Sequence, residues 1–194
     1  AEAAGTVDFA VADGVLIQDA VSVQASGTID FSGLTPGSAV TSDGNAVIIS
    51  ASGNVDFVGA ASPPMTLEGA GNAADEDFSL RASNGTIFLA GGGAGGNLDE
   101  IVILPGTPGD GADNVVLAGG TITLQTGGFD FTNVAAGETI TLAGDTVLNT
   151  VNGDGDITFA GRTVTGAFNL DLAAGAGTVT LGGMGGTDDL ASLD

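Results

Sequence analysis

One phrase occurs three times in this chain, and it limits the folds open to it more than any other feature. It reads "VSVQASGTIDF" at 21–31, "VIISASGNVDF" at 47–57 and "FSLRASNGTIFL" at 78–89. Each copy is a strand, a small-residue turn and a second strand. A unit repeated at a fixed place is the mark of an architecture built by stacking.

The second half of the phrase recurs more widely as a short signature: glycine, a small polar residue, then β-branched, polar and large apolar residues. It appears as "GTVDF" (5–9), "GTIDF" (27–31), "GNVDF" (53–57), "GTIFL" (85–89), "GTITL" (120–124), "GDITF" (155–159) and "GTVTL" (177–181). The period is two, which belongs to a strand. It predicts one shared inward face for Val7, Phe9, Ile29, Phe31, Val55, Phe57, Ile87, Leu89, Ile122, Leu124, Ile157, Phe159, Val179 and Leu181. "ETITLAG" (138–144) reads as an extra strand inside a long interval. No segment reads as an amphipathic helix, and turns rich in Ala, Ser, Gly and Asn suit tight corners. The competing layout, an antiparallel sandwich, also shows regular turn signals. The recurring signature favours one all-β domain over 1–194, a parallel β-solenoid (β-helix) of six or seven coils with no capping helix. Its repeats start near 5, 27, 53, 85, 120, 155 and 177. Each coil leaves its apolar face open until the next coil covers it.

Composition narrows the function. The chain has 35 glycines in 194 residues yet is 43% hydrophobic, so it can bury a core. It carries 24 acidic residues against two arginines, Arg81 and Arg162, for a formal charge of −22. That balance offers no phosphate-neutralising patch for nucleic acid and no polybasic segment for anionic lipid. No apolar run reaches the length of a membrane span. The start, "AEAA", fits a mature end left by signal cleavage, and a fragment boundary equally well. Without histidine, cysteine or lysine there is no Ser–His or Cys–His nucleophile, and a carboxylate pair would be the remaining catalytic device. The expectation is a protein that is not an enzyme.

"GGGAGG" (91–96) lacks the Lys-Ser/Thr of a phosphate loop and reads as a loop between coils. "PGDGADNVV" (108–116) fits a calcium-binding nonapeptide apart from Pro108. Asp110, Asp113 and Asn114 would be its oxygen ligands, with calcium the candidate cofactor. A solvated Asp-Gly turn is the plainer alternative, as it is for "NGDGD" (152–156) and "DEDF" (75–78). Asp8, Asp30, Asp56, Thr123, Thr158 and Thr180 hold one signature position and predict a surface ladder. Carboxylates roughly 5 Å apart repel by about 1 kcal/mol in water, so its acidic part calls for a cation, protonation or splayed side chains. Thr-x-Thr at 121–123, 139–141, 163–165 and 178–180 raises the alternative of an ice-binding face, although the intervals of 18, 24 and 15 are irregular.

At 155–193, "GDITFAGRTVTGAFNLDLAAGAGTVTLGGMGGTDDLASL" resembles the repeats of filamentous-haemagglutinin-type bacterial exoproteins. These have an "ITF-x-G" strand, an "NL-x-L-x-AG-x-G" strand and turn, a "VT" strand, "GG" and "LASL". The resemblance implies a right-handed parallel β-helix, an extracellular or cell-surface setting, and an adhesin whose partner is a host surface or glycan. It brings no catalytic residue.

No cap is evident before Gly5 or after "GTVTLGG". The expected partner is therefore another copy, meeting this one head-to-tail in a bacterial surface filament. The expected assembly residues are Gly5, Val7, Phe9, Val15 and Ile17 at one end and Val179, Leu181, Leu190 and Leu193 at the other. The alternative is a segment of a large secreted adhesin.

Overall fold

The computed structural model describes residues 2–3, 5, 7–9, 14–18, 22–35, 38–43, 47–58, 66–70, 77–94, 98–104, 114–134, 137–159, 161–184 and 190–194. Among them every regular element is a β-strand. The strands alternate buried and half-exposed residues, as in Asp77–Ala82, where Phe78, Leu80 and Ala82 point inward. The chain visits three parallel sheets in turn and returns to the first one level further on. That is a three-faced β-solenoid.

Face 1 stacks Glu2–Ala3, Ser22–Ala25, Val47–Ala51, Asp77–Ala82, Glu100–Ile103, Phe129–Asp130, Ile157–Thr158 and Val179–Thr180. Face 2 stacks Val7–Asp8, Ile29–Asp30, Val55–Asp56, Thr86–Leu89, Asn114–Leu117, Thr139–Leu142, Thr163–Thr165 and Gly183–Met184. Face 3 begins with Val15–Gln18, Ala39–Asp43 and Thr66–Gly69. It resumes with Gly120–Thr123, Thr146–Asn149, Asn169–Ala173 and Ser192–Leu193.

Gly92 joins the two parts of face 3, bridging Leu67 on one side and Ile122 on the other. Its N–H donates to Thr121 O at 3.0 Å, and its carbonyl accepts from Thr123 N at 3.0 Å. The first glycines of "GGGAGG" are thus a rung and not a loop. The backbones run close here: a Cβ on Gly92 would stand 2.7 Å from Leu67 O.

Among the described residues the solenoid has eight levels, against the six or seven expected. Level 6 escaped the signature because its strands read "GGFDF" and "ETITL", inside the interval 120–155. The signature also fails to mark one face. Copies 5–9, 27–31, 53–57 and 85–89 build face 2, copy 120–124 builds face 3, and the last two build face 1. Period-two alternation only says that a strand has an inside; it carries no label for the face.

The repeated phrase is a stacked corner between faces 1 and 2. Ser52 N donates to Ala25 O (3.1 Å) and Ser83 N to Ala51 O (2.9 Å). Gly53 N donates to Gly27 O (2.9 Å). The register runs Val23–Ile49–Leu80 and Ala25–Ala51–Ala82. Each copy repeats because each copy must lie flat on the one before.

Inside, residues of like kind stack on themselves. Face 2 sets Val7, Ile29, Val55, Ile87, Val115, Ile140, Val164 and Met184 in one register column. Phe9, Phe31 and Phe57 lie parallel at centroid spacings of 4.6 and 4.8 Å, and Phe131 and Phe159 at 5.0 Å. The strand spacing of about 4.8 Å imposes that stacking. Each fully buried large apolar side chain contributes roughly 1.5–3 kcal/mol, which offsets the ordering of its coil.

Candidate functional site

The outward ladder divides among the faces. Asp8, Asp30 and Asp56 are in register on face 2. The column continues with Phe88, Val116, Thr141 and Thr165, replacing carboxylates with uncharged residues. Thr123 lies on face 3 beside Asn149. Thr158 and Thr180 pair on face 1, below Asp130. The expected single ladder is three separate ones, for the reason that scattered the signature.

The aspartates have a local task that the sequence reading missed. Asp30 Oδ1 accepts from Ser32 N (2.7 Å), and Asp56 Oδ1 accepts from Val58 N (2.8 Å). Asp130 Oδ1 accepts from both Thr132 N (2.8 Å) and Thr132 Oγ1 (2.6 Å). Each closes a turn over the phenylalanine that follows it, and Phe31, Phe57 and Phe131 are buried. The pair Asp-Phe therefore bends the backbone with one residue and fills the corner with the next. The signal was present as "DF" in "GTIDF", "GNVDF" and "GGFDF".

Four carboxylates line an open cleft of about 450 Å³ between levels 5 and 7 on face 1: Glu100, Asp130, Asp154 and Asp156. It exists because Gly127, Gly128, Gly153 and Gly155 line it without side chains. A Cβ on Gly127 would stand 2.7 Å from the Glu100 Cβ. Asp154 Oδ1 accepts from Ala176 N (2.8 Å), and Asp156 Oδ1 from Thr178 N (2.7 Å). Asp154 itself takes a left-handed backbone, φ 52°. These oxygens stitch level 7 to level 8.

Burial raises the pKa of Glu100, and the charge of Asp130 raises it further. Asp77 is its register partner on the other side. A raised folded-state pKa means that the fold holds this proton to higher pH than the unfolded chain does. The resulting stabilisation is complete below the unfolded pKa and is lost as pH rises through the folded one. Glu100→Gln should therefore be more stable than the parent at pH 7, by roughly 0.2–1 kcal/mol after solvent screening. The advantage should shrink as pH falls through the carboxylate range. Thermal melts of both proteins from pH 7 to pH 4 check this, and a constant difference would contradict it.

Asp110 and Asp113 of the calcium motif lie outside the described residues. Asn114 opens a face 2 strand, and its Oδ1 accepts from Thr139 N at 3.4 Å. Asn54 does the same for Thr86 N at 3.0 Å. Among the described residues no group of three or more acidic side chains is placed to hold a metal ion. Arg162 donates to Thr132 O and, at 3.2 Å, to Gly161 O, pinning level 7 to level 6.

The Thr-x-Thr motifs fall on all three faces. Only 139–141 and 163–165 are in register, Thr139 on Thr163 and Thr141 on Thr165. This makes a two-by-two patch.

At level 8, Val179, Leu181 and Leu193 are 38%, 44% and 42% exposed. Val179 continues the column of Phe129 and Ile157, both buried. Among the described residues no strand lies over it, and its exposure is that of a core position on an uncovered level. Leu190 is half-buried against the core. At level 1, Gly5, Phe9 and Val15 are half-buried and Ile17 is buried, while Leu16 is 56% exposed. Val7 holds its place by its backbone register with Ile29. Among the described residues the outer edges of levels 1 and 8 pair with nothing, and no helix is long and apolar enough to cross a membrane.

Compared with known proteins, the chain matches no family model, no curated protein and no solved structure.

Proposed function

We propose that this chain is a structural protein whose solenoid continues head-to-tail into a filament, in the extracellular setting that its resemblance to exoprotein repeats implies. The observation that carries the reading is the open eighth level. Val179, exposed there with Leu181 and Leu193, stands in a column whose residues at levels 3 to 7, Val47, Phe78, Ile101, Phe129 and Ile157, are all buried. The first level offers three parallel strands that can cover them.

The two end levels are also alike in size. Their face 1 and face 3 strands begin thirteen positions apart in both, at 2 and 15 and at 179 and 192. Register partners at the ends are 22 residues apart, Val7 with Ile29 and Ile157 with Val179. Near the middle the interval reaches 32, Val55 with Ile87. The longer connections are thus kept away from the junction. Stacking one end on the other extends each sheet by strand addition, in which backbone hydrogen bonds supply the affinity and side-chain fit the specificity. The contact does not close on itself, so it propagates. With no histidine, cysteine or lysine, the surface offers carboxylates, hydroxyls and amides, which suits a load-bearing role over catalysis.

Sedimentation velocity on the purified 194-residue chain tests this. The parent should give a concentration-dependent series of species, and Leu181→Lys should reduce it to monomer because a charge then occupies the junction. A parent that stays monomeric at high concentration would support the alternative, a segment whose open level is covered by further coils of a longer adhesin.

A further inference from the structure

We propose that end-to-end joining is switched on by counterions, and that small multivalent cations are the ligands of the assembled shaft; this rests on the filament reading above. The formal charge is −22, and no aspartate or glutamate is among the buried residues of the described chain. The described aspartates and glutamates therefore lie towards the outside of the rod. Eight levels at about 4.8 Å each give roughly 38 Å of shaft per copy. That is one negative charge per about 1.7 Å of axis, the line charge of duplex DNA, which condenses a counterion atmosphere.

This line charge opposes the apolar attraction at the ends. Asp8 on the first level is exposed, and it begins the column that runs through Asp30 and Asp56. Two such rods repel over about 30 Å at 0.01 M ionic strength, nearly the length of a copy, and over about 8 Å at 0.15 M. At low salt the repulsion acts before the strands can meet. At higher salt only the junction itself feels it.

The cations need no coordination cage. Asp30, Asp56, Asp130, Asp154 and Asp156 each give one carboxylate oxygen to a backbone N–H. What these groups present outward is a field spread along the shaft. Valence then decides potency, and the identity of the ion does not.

The test uses the purified 194-residue chain at pH 7.5, starting near 5 mM ionic strength. It is titrated separately with NaCl, MgCl₂, CaCl₂ and spermidine, and followed by light scattering and pelleting, with electron microscopy to identify fibres. At the start, under about a tenth of the protein should pellet. Most of it should pellet once the charge is screened. Magnesium and calcium should share a midpoint, about ten-fold or more below that of NaCl, and spermidine should act lower still. Screening alone counts a divalent salt at about three times its molarity, so the larger gap reports condensation. Fibres formed equally at every salt concentration would overturn the gating and leave the filament intact. Assembly with calcium alone would overturn it in favour of a specific cage, such as one using Asp110, Asp113 and Asn114. No fibres under any condition would overturn both readings.

Discussion

Phe31→Ala should cost about 3–5 kcal/mol, the range for emptying a fully buried aromatic site. Phe31 is inaccessible to solvent and lies between Phe9 at 4.6 Å and Phe57 at 4.8 Å. The vacated space cannot close easily, because the rings on either side are carried by strands whose hydrogen bonds fix their separation. Phe9 N donates to Asp30 O and Phe31 N to Asp56 O, at 3.0 and 2.8 Å. Urea unfolding should show a lower midpoint with a similar slope. Phe168→Ala provides the contrast: Phe168 is 37% exposed, and its loss should cost well under half as much. Equal effects at the two sites would mean that the aromatic column is not a packed core.

Gly85→Val should be at least as damaging, through the corner instead of the core. A Cβ at Gly85 would stand 2.5 Å from both C and O of Gly53 and 2.7 Å from Asn54 N. All three are backbone atoms of the coil beneath, so no side chain can swing away. The corner must lift, and the bonds from Ser83 N to Ala51 O and from Asn84 N to Ser52 O go with it. We expect a loss of about 3 kcal/mol or more, in the class of overpacked and strained sites. Asn84→Ala, one position earlier and exposed, should stay within about 0.5 kcal/mol of the parent. Circular dichroism and thermal melts distinguish the two. A Gly85→Val protein that melts like its parent would show that the corners do not stack as described.

The same corner explains what the sequence made legible. A chain that must lie on itself at each turn repeats the residues that allow it, so "ASG", "ASG" and "ASNG" announced the solenoid directly. Strand alternation likewise separated inside from outside, and Ile29, Val55, Ile87 and Ile157 are all buried. What alternation cannot carry is the identity of the face. The signature at 120–124 was therefore placed with those of face 2 although it builds face 3. Level 6 was hidden because its face 2 strand, Thr139–Leu142, is preceded by Glu138 in place of glycine. Glycine itself is ambiguous in sequence, since a flexible loop and a close backbone approach both select it. Gly92, wedged against Leu67, is the second kind.

The acidic ladder was half legible. Its register on face 2 followed from the shared position of Asp8, Asp30 and Asp56. The turn that each later aspartate closes two residues on was not foreseen. A repulsion argument looks across the coils, and the hydrogen bond that makes Asp30 and Asp56 useful runs along the chain. The cleft at Glu100 depends on glycines that meet only after folding, Gly127 and Gly128 from level 6 and Gly155 from level 7, so no local window contained it.

The most direct test of head-to-tail continuation is electron cryomicroscopy of fibres grown from the 194-residue chain at physiological salt. Stacking eight levels per copy predicts a fibre one solenoid wide, with a rung spacing of about 4.8 Å and an axial subunit repeat of roughly 38 Å. Across each junction the three sheets should continue, with Met184 of one copy extending the face 2 column that begins at Val7 of the next. Fibres joined side to side, a repeat unrelated to eight levels, or discrete particles that never lengthen would contradict it.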